Sequence, residues 1–102
     1  MIALSVAKGC TSRNLRKRKL LPIKGTIRFI PRPGDVMRCQ ILRRDGGYVD
    51  SFNNIWKRPK GENLPIDFHW DVQLSTLGKI SIGHYSNSGN HVNVTQDGRI
   101  AH

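Results

Sequence analysis

The chain has 102 residues, of which 37% are hydrophobic, and it carries a net charge of +10. This length predicts one small domain with one core, and no apolar run approaches the length of a membrane-spanning helix. The charge is uneven: residues 1–60 hold 15 Lys and Arg against 3 Asp, a net +12, whereas residues 61–102 are net −2. A basic part beside a mildly acidic part favours a polyanionic partner. We expect no membrane partner, since no segment has the pattern of a membrane-surface helix.

The N-terminal third predicts little regular structure. Residues 1–31 form a basic leader that we expect to be partly disordered or helical. Its charged run, residues 12–19, fits one or two helical turns, but a mobile tail that adds non-specific RNA affinity is the expected state. Residues 26–30 predict a short strand. The two prolines of residues 31–35 predict a turn or an extended connector and argue against helix.

In the middle of the chain the pattern does not decide between types of secondary structure. Residues 36–43 fit a helix or a strand. Asp45-Gly46-Gly47 predicts a turn. Residues 48–56 contain five apolar side chains and predict a strand or loop that fills the core, and residues 57–61 predict a basic loop.

The most informative segment is Asp67-Phe-His-Trp-Asp-Val-Gln-Leu74, in which polar and apolar residues alternate without a break. This is the period of a strand with one face on a core. Phe68, Trp70, Val72 and Leu74 are predicted to point inward, so that two carboxylates, an imidazole and an amide share the other face. Those groups on the open face of a basic protein indicate chemistry on a polyanion.

The remaining residues alternate between turns and strands, which predicts an antiparallel meander. The predicted elements are a connection at 75–78, a strand at 79–85, a hairpin turn at 86–89, a strand at 90–95, a tight turn at 97–98 and an edge strand at 99–102. The expected fold is α+β: a small N-terminal helical or irregular segment packed on a four-stranded antiparallel sheet with an open catalytic face.

The two cysteines, Cys10 and Cys39, are far apart in the sequence and have no nearby pair of histidines, so they do not fit a zinc site. Their number is compatible with a single disulfide. Two free thiols in a cytosolic setting are the expected state.

Several short blocks in the last half of the chain resemble the type-17 toxin domain, which lies at the C-termini of bacterial polymorphic toxins. Those blocks are Gly47-Tyr48-Val49-Asp50, Asn54-Ile55-Trp56, Trp70-Asp71-Val72-Gln73-Leu74-Ser75, Gly83-His84, His91-Val92-Asn93-Val94 and Asp97-Gly98-Arg99-Ile100. The Trp-Asp strand, Gly83 and the later Gly89-Asn90-His91-Val92 also resemble the ribonuclease domain of colicin E-five. His69 departs from the type-17 pattern, which has Glu there, and this argues against a direct role for His69.

The resemblance implies a barnase–EndoU–colicin–RelE-like fold over residues 32–102 and metal-independent cleavage of RNA, often tRNA, within the anticodon loop in some members. It implies no cofactor, no metal and no small-molecule ligand. It also implies an acidic immunity protein as partner, delivery by a bacterial toxin export system, and action in the cytoplasm of the target cell.

Metal-free RNA cleavage needs a base for the 2′-hydroxyl, an acid for the leaving 5′-oxygen and cations for the phosphorane. His91 is the first catalytic candidate, because it follows the hairpin turn and alternates to the side opposite Val92 and Val94. Asp71 is expected to orient a histidine or lysine, or to act as base. By parity His84 lies on the apolar face, so a catalytic role requires a bulge at Gly83.

The RNA-binding candidates are basic, amide or aromatic side chains near the predicted site: Lys57, Arg58, Lys60, Gln73, Lys79, Tyr85 and Arg99. Each has a plain alternative as a solvated surface residue. Trp56 and Trp70 are predicted to be core residues.

Two other functions compete with a ribonuclease. A non-catalytic, ribosome-associated RNA-binding protein fits the length and charge, but it gains nothing from carboxylates that face its RNA. A DNA-directed nuclease calls for a metal cluster, which the few acids do not supply.

Overall fold

The computed structural model describes residues 10–60 and 64–101. The helices are α1 (Ser12–Arg18), α2 (Pro33–Arg38), α3 (Thr76–Ile82) and a 3-10 helix (Gly83–Tyr85). The strands are β1 (Arg43–Arg44), β2 (Gly47–Val49), β3 (Ile55–Lys57), β4 (Trp70–Gln73), β5 (His91–Val94) and β6 (Ile100–Ala101). Within the described residues, no helix has the length and apolar character needed to cross a membrane.

The strands form one antiparallel sheet in which each strand pairs with its neighbour in the chain, in the order β1-β2-β3-β4-β5-β6. The predicted α+β class and the antiparallel meander are confirmed. The sheet has six strands instead of the expected four. The predicted edge strand at 99–102 is present as β6 (Ile100–Ala101). Strand β1 has only two residues, which is too short for an alternating pattern to be visible in the sequence.

One face of the sheet carries the core. Trp56, Trp70, Val72 and Val94 are at most 1% exposed, and the four aromatic contacts of the core meet edge to face. The alternation over residues 67–74 is confirmed, because Asp67, His69 and Gln73 are exposed and Asp71 is half-buried on the other face. Burial of the apolar face fixes the register of β4, since a slip of one residue would bury the polar set.

The basic N-terminal segment is ordered over its described part. Residues 12–18 of the charged run form α1, whose N-cap Thr11 accepts a hydrogen bond from the Asn14 amide, so the expected mobile tail was wrong there. Leu15 on this helix is buried in the core. Burial of this apolar side chain stabilises a short helix that the charged run would not form on its own. The domain division at residue 31 stays a prediction, and residues 1–9 lie outside the described residues.

Residues 21–38 differ from the predictions in two ways. Residues 26–30 are not a strand, although Ile27 and Phe29 alternate into the core. Helix α2 begins at Pro33, where an extended connector was expected, because a proline in the first helical turn needs no backbone donor. The buried Asp35 in this helix accepts hydrogen bonds from Arg38 and from the Leu42 amide.

The two cysteines form a disulfide, Cys10–Cys39, with a Cα–Cα distance of 5.3 Å. The expectation of two free thiols was therefore wrong. The bond joins the residue just before the N-cap of α1 to the residue that ends α2, so it ties both N-terminal helices together. The pairing could not be predicted from the sequence, because a contact between residues 29 positions apart depends on how the intervening segment folds.

Residues 79–85 are helical, not a strand. Ser75 caps α3 by accepting a hydrogen bond from the Gly78 amide, and the 3-10 helix continues to Tyr85. The alternation of Ile80 and Ile82 suggested a strand, yet Ile80 is 77% exposed. The capping serine was a stronger local signal than the two isoleucines.

A polar clamp joins the β2–β3 turn to α3. The buried Asp50 carboxylate accepts hydrogen bonds from the Phe52 and Asn54 amides, from the Asn54 side chain and from the Trp56 indole. Asn54 Oδ1 in turn accepts the Ser75 amide at 2.9 Å. Burial raises the pKa of Asp50 above its usual value, against these four hydrogen bonds, which lower it. The clamp fixes where α3 begins beside β4.

Candidate active site

The sheet face opposite the core carries a carboxylate–imidazole pair. Asp71 on β4 lies across from Asn93 on β5, and His91 lies across from Gln73, so Asp71 and His91 are diagonal neighbours. His91 Nδ1 is 3.2 Å from Asp71 Oδ1. This oxygen is shielded from solvent and accepts no well-aligned hydrogen bond from any described residue. Among the described residues, His91 supplies the one basic side-chain nitrogen within 4.0 Å of this oxygen.

The pair lines a groove of about 310 Å³. One wall is formed by the two strands, through Asp71, Gln73 and His91, and Lys79 from α3 contributes a cation. Asn90, at the entry to β5, adds an amide. The groove therefore combines a carboxylate–imidazole pair, one cation and two amides, which can contact a phosphate and the groups around it.

A short hydrogen-bonded turn positions His91. Ser86 Oγ donates to the His91 carbonyl at 2.6 Å and accepts the Gly89 amide at 2.8 Å. Gly89 has φ +81°, a conformation that favours glycine. Burial of Val92 and Val94 then sets the alternation of β5, so that His91 faces away from the core as predicted.

The other predicted catalytic residue, His84, stands apart from the pair. It lies in the 3-10 helix, is exposed, and its ring lies at a tilt of 39° against that of Tyr85, with ring centroids 4.1 Å apart. No bulge at Gly83 is involved, because this segment is helical. Tyr85 lines a second depression of about 180 Å³, which His91 also lines from the other side. A catalytic role of His84 remains a prediction without a contact that supports it.

The predicted RNA-binding residues fall into two groups. Lys57 is the cross-strand partner of Asp71 on β3, on the same sheet face, and Gln73 and Lys79 line the groove. Arg58 is placed differently: it packs over the rings of Phe68 and Trp70 on the core side of the sheet. Lys60 is exposed and has no contact that connects it to the groove.

Arg99 lies in a separate depression with Asp67, His69 and Asp97. Its Nε is 3.0 Å from an Asp97 carboxylate oxygen. Hydrogen bonds from the Thr95 hydroxyl and from Arg99 hold the pKa of Asp97 below its usual value. Arg99 is therefore already paired with a carboxylate, which weakens it as a phosphate ligand.

The sequence interpretation missed three side chains at the site. Asn90 lines the groove, Asn93 lies across from Asp71, and Ser86 holds the turn before His91. Each is a short polar residue of a kind common in any hairpin, so the sequence carried no signal that distinguished them. In the described ranges, 10–60 and 64–101, no three His, Cys, Asp or Glu residues are placed to hold a metal ion.

The family model that matches this chain defines a class of toxin domains. It is described as novel toxin 17 and covers residues 10–102. The chain belongs to the novel toxin 17 family. The predicted resemblance to a type-17 toxin domain is confirmed, and the match extends further toward the N-terminus than residue 47, where the blocks recognised in the sequence begin. Searches of the curated proteins and of the solved structures found no match.

Proposed function

We propose that this toxin domain is a metal-independent endoribonuclease whose active site is the groove around Asp71 and His91. The observation that carries the proposal is the 3.2 Å approach of His91 Nδ1 to an otherwise unpartnered, shielded Asp71 oxygen. A structural ion pair does not require a groove beside it, whereas an acid–base catalyst does. The resemblance to the colicin E-five ribonuclease domain supports RNA as the substrate, with the tRNA anticodon loop as the candidate target.

The pair suits proton transfer. A carboxylate beside Nδ1 favours the tautomer with a proton on that nitrogen, which leaves Nε2 to exchange a proton with substrate. In the proposed reaction, a base removes the 2′-hydroxyl proton, the 2′-oxygen attacks phosphorus, and the bond to the 5′-oxygen breaks as an acid protonates that oxygen. The products are a 2′,3′-cyclic phosphate and a 5′-hydroxyl. Such proton transfer contributes about 10²- to 10⁴-fold to a rate.

The cations beside the pair supply the electrostatic part of the mechanism. Lys79 lines the groove, and Lys57 is adjacent to Asp71 on the neighbouring strand. Charge that accumulates on the phosphorane oxygens is stabilised by cations that are already in place. Gln73 and Asn90 provide donors and acceptors for a phosphate oxygen or a base edge.

Two further parts of the proposal rest on the family alone. A toxin of this kind needs a partner that protects the producing cell, and an acidic immunity protein complements the net charge of +10. A toxin domain also fits delivery into a target cell, where the cytoplasm contains the RNA substrate. Direct binding of a candidate immunity protein, measured with the purified chain, tests the first part.

The test of the proposed activity is incubation of the purified chain with total RNA in EDTA, followed by a denaturing gel. Discrete fragments that carry a 2′,3′-cyclic phosphate support the proposal, and their loss in His91→Ala assigns the groove. His69→Ala is a matched control, because His69 is an exposed histidine on the same face but outside the groove. Intact RNA with a mobility shift on a native gel would instead indicate a passive RNA-binding protein.

A further inference from the structure

A second basic site lies on the other side of the sheet. Lys19 Nζ is 5.8 Å and Arg43 Cζ is 4.9 Å from the centroid of the Tyr48 ring. Arg58 Cζ is 5.3 Å from the centroid of the Trp70 ring, and the two rings are 6.1 Å apart. Three cations, from the C-cap of α1, from β1 and from the residue after β3, thus lie over one pair of neighbouring aromatic rings. We call them the cation cluster.

Among the described residues, contacts other than ion pairs hold the cation cluster in place. Arg58 donates to the Lys19 carbonyl at 3.0 Å, and the ring faces attract the other two cations. Among the described residues, no carboxylate oxygen lies within 4.0 Å of these three side chains; the ion pairs of that part of the chain are Arg38–Asp35, His91–Asp71 and Arg99–Asp97. Three like charges repel each other, so their convergence favours an anion from outside.

The position of the cation cluster relative to the groove limits what that anion can be. Tyr48 and Trp70 belong to the core-facing side of the sheet, whereas Lys57 and Asp71 belong to the groove side. Arg58 directly follows Lys57 in the chain. The cluster therefore lies on the core-facing side where β3 ends and β4 begins, whereas the groove lies on the other side of the sheet, around the C-terminal end of β4 and the start of β5.

We propose that the cation cluster binds phosphate groups of the RNA substrate remote from the cleaved bond, so that the substrate is a folded RNA that reaches from the groove side of the sheet to its core-facing side. This inference rests on the proposed ribonuclease function for the cleaved end. A short single strand fills the groove without reaching the cluster. A folded RNA contacts both, and its phosphates provide anions for the three cations of the cluster.

The contacts are measurable as salt dependence. Each phosphate contact releases a counterion and steepens the fall of log affinity with log salt by about 0.7 to 0.9. The double variant Lys19→Gln/Arg43→Gln is expected to bind tRNA about tenfold more weakly and to reduce that slope by about 1.4 to 1.8. Binding to a short oligonucleotide is expected to stay unchanged.

The experiment measures equilibrium binding of total tRNA in EDTA with all proteins in the His91→Ala background, so no cleavage interferes. The matched control is Lys24→Gln/Arg28→Gln, which removes the same two charge types from exposed residues outside the cluster. It is expected to keep most of the affinity. Arg43→Lys preserves the charge and is expected to restore binding, and thermal melts confirm that each variant is folded.

Three results would overturn the inference. The first is equal tRNA affinity and salt slope in the cluster variant and the control variant. The second is a loss that Arg43→Lys reproduces in full together with a lower melting temperature, which would make the cluster structural. The third is unchanged tRNA binding with loss of binding to phosphatidylglycerol vesicles, which would assign it to membranes. Cluster-dependent binding without cleavage by the wild type would contradict the ribonuclease proposal alone.

Discussion

The side chain of Asn54 occupies the space that any side chain on Gly78 would need. A Cβ on Gly78 would lie 1.9 Å from Asn54 Oδ1, and that oxygen also accepts the Ser75 amide at the start of α3. The close approach of a strand-preceding loop and a helix therefore depends on the absence of a side chain at residue 78. Because Lys79 is the next residue, the same contact positions the cation of the proposed active site.

We predict that Gly78→Ala destabilises the protein by about 1–3 kcal/mol, because it forces Asn54 from its hydrogen bonds. Urea denaturation measures the loss. Gly83→Ala is the matched control: a Cβ there meets its nearest neighbour at 3.8 Å, so that variant is expected to be neutral or slightly stabilising. Equal stability of the two variants would refute the packing role of Gly78.

The buried Asp50 predicts a specific pH dependence. Burial raises its pKa in the folded state, so this group contributes stability that is fully present below its unfolded-state pKa and is lost as the pH rises through the raised pKa. The difference in unfolding free energy between wild type and Asp50→Asn should therefore shrink as the pH rises through that window. Denaturant titrations at a series of pH values measure the difference, and a difference that grows with pH would contradict the sign.

From the disulfide we predict that reduction lowers the stability of the protein but does not abolish RNA cleavage. Reduction of Cys10–Cys39 should cost about 3–4 kcal/mol by releasing a loop of this length. The double variant Cys10→Ser/Cys39→Ser should melt at the lower temperature with or without reductant. Because neither cysteine lines the groove, RNA cleavage should persist at temperatures where the reduced protein is folded, and its complete loss in the folded reduced protein would contradict this separation.

Much of the sheet could be predicted from the sequence, since burial of one face requires polar and apolar residues to alternate strictly in β4 and β5. The same signal failed for β1, which is too short, and for α3, where the spacing of Ile80 and Ile82 resembled that of a strand. The groove was only partly predictable. Asp71, Gln73 and His91 follow from strand parity, whereas Lys79 reaches them only because the segment is helical.

The orientation of Arg58 shows why the rest of the candidate site could not be predicted without knowledge of the fold. Its neighbour Lys57 faces Asp71, and the basic loop gave no reason to separate the two residues. In the structure Arg58 lies on the core side, because there it donates a hydrogen bond to the Lys19 carbonyl and packs over the Trp70 ring. Those partners are 39 and 12 positions away, beyond the reach of any local pattern.

Lys79 provides a prediction about the rate. Lys79→Ala should lower kcat for RNA cleavage by about 10²-fold, since it removes a groove cation that stabilises the phosphorane charge in the proposed mechanism. Lys24→Ala, which removes an equal charge outside the groove, should leave kcat unchanged. Steady-state kinetics on one tRNA substrate separates kcat from KM, and an effect confined to KM would assign Lys79 to binding only.

The most direct test of the central claim is the rate of tRNA cleavage in EDTA for wild type, Asp71→Asn, His91→Ala and the double variant. If the pair acts as one catalytic unit, each single variant loses about 10²- to 10⁴-fold, and the double variant loses little more than the stronger single variant. All variants should unfold near the wild-type midpoint, because both side chains are partly exposed. Wild-type rates in both single variants would contradict the account and remove the groove as the active site.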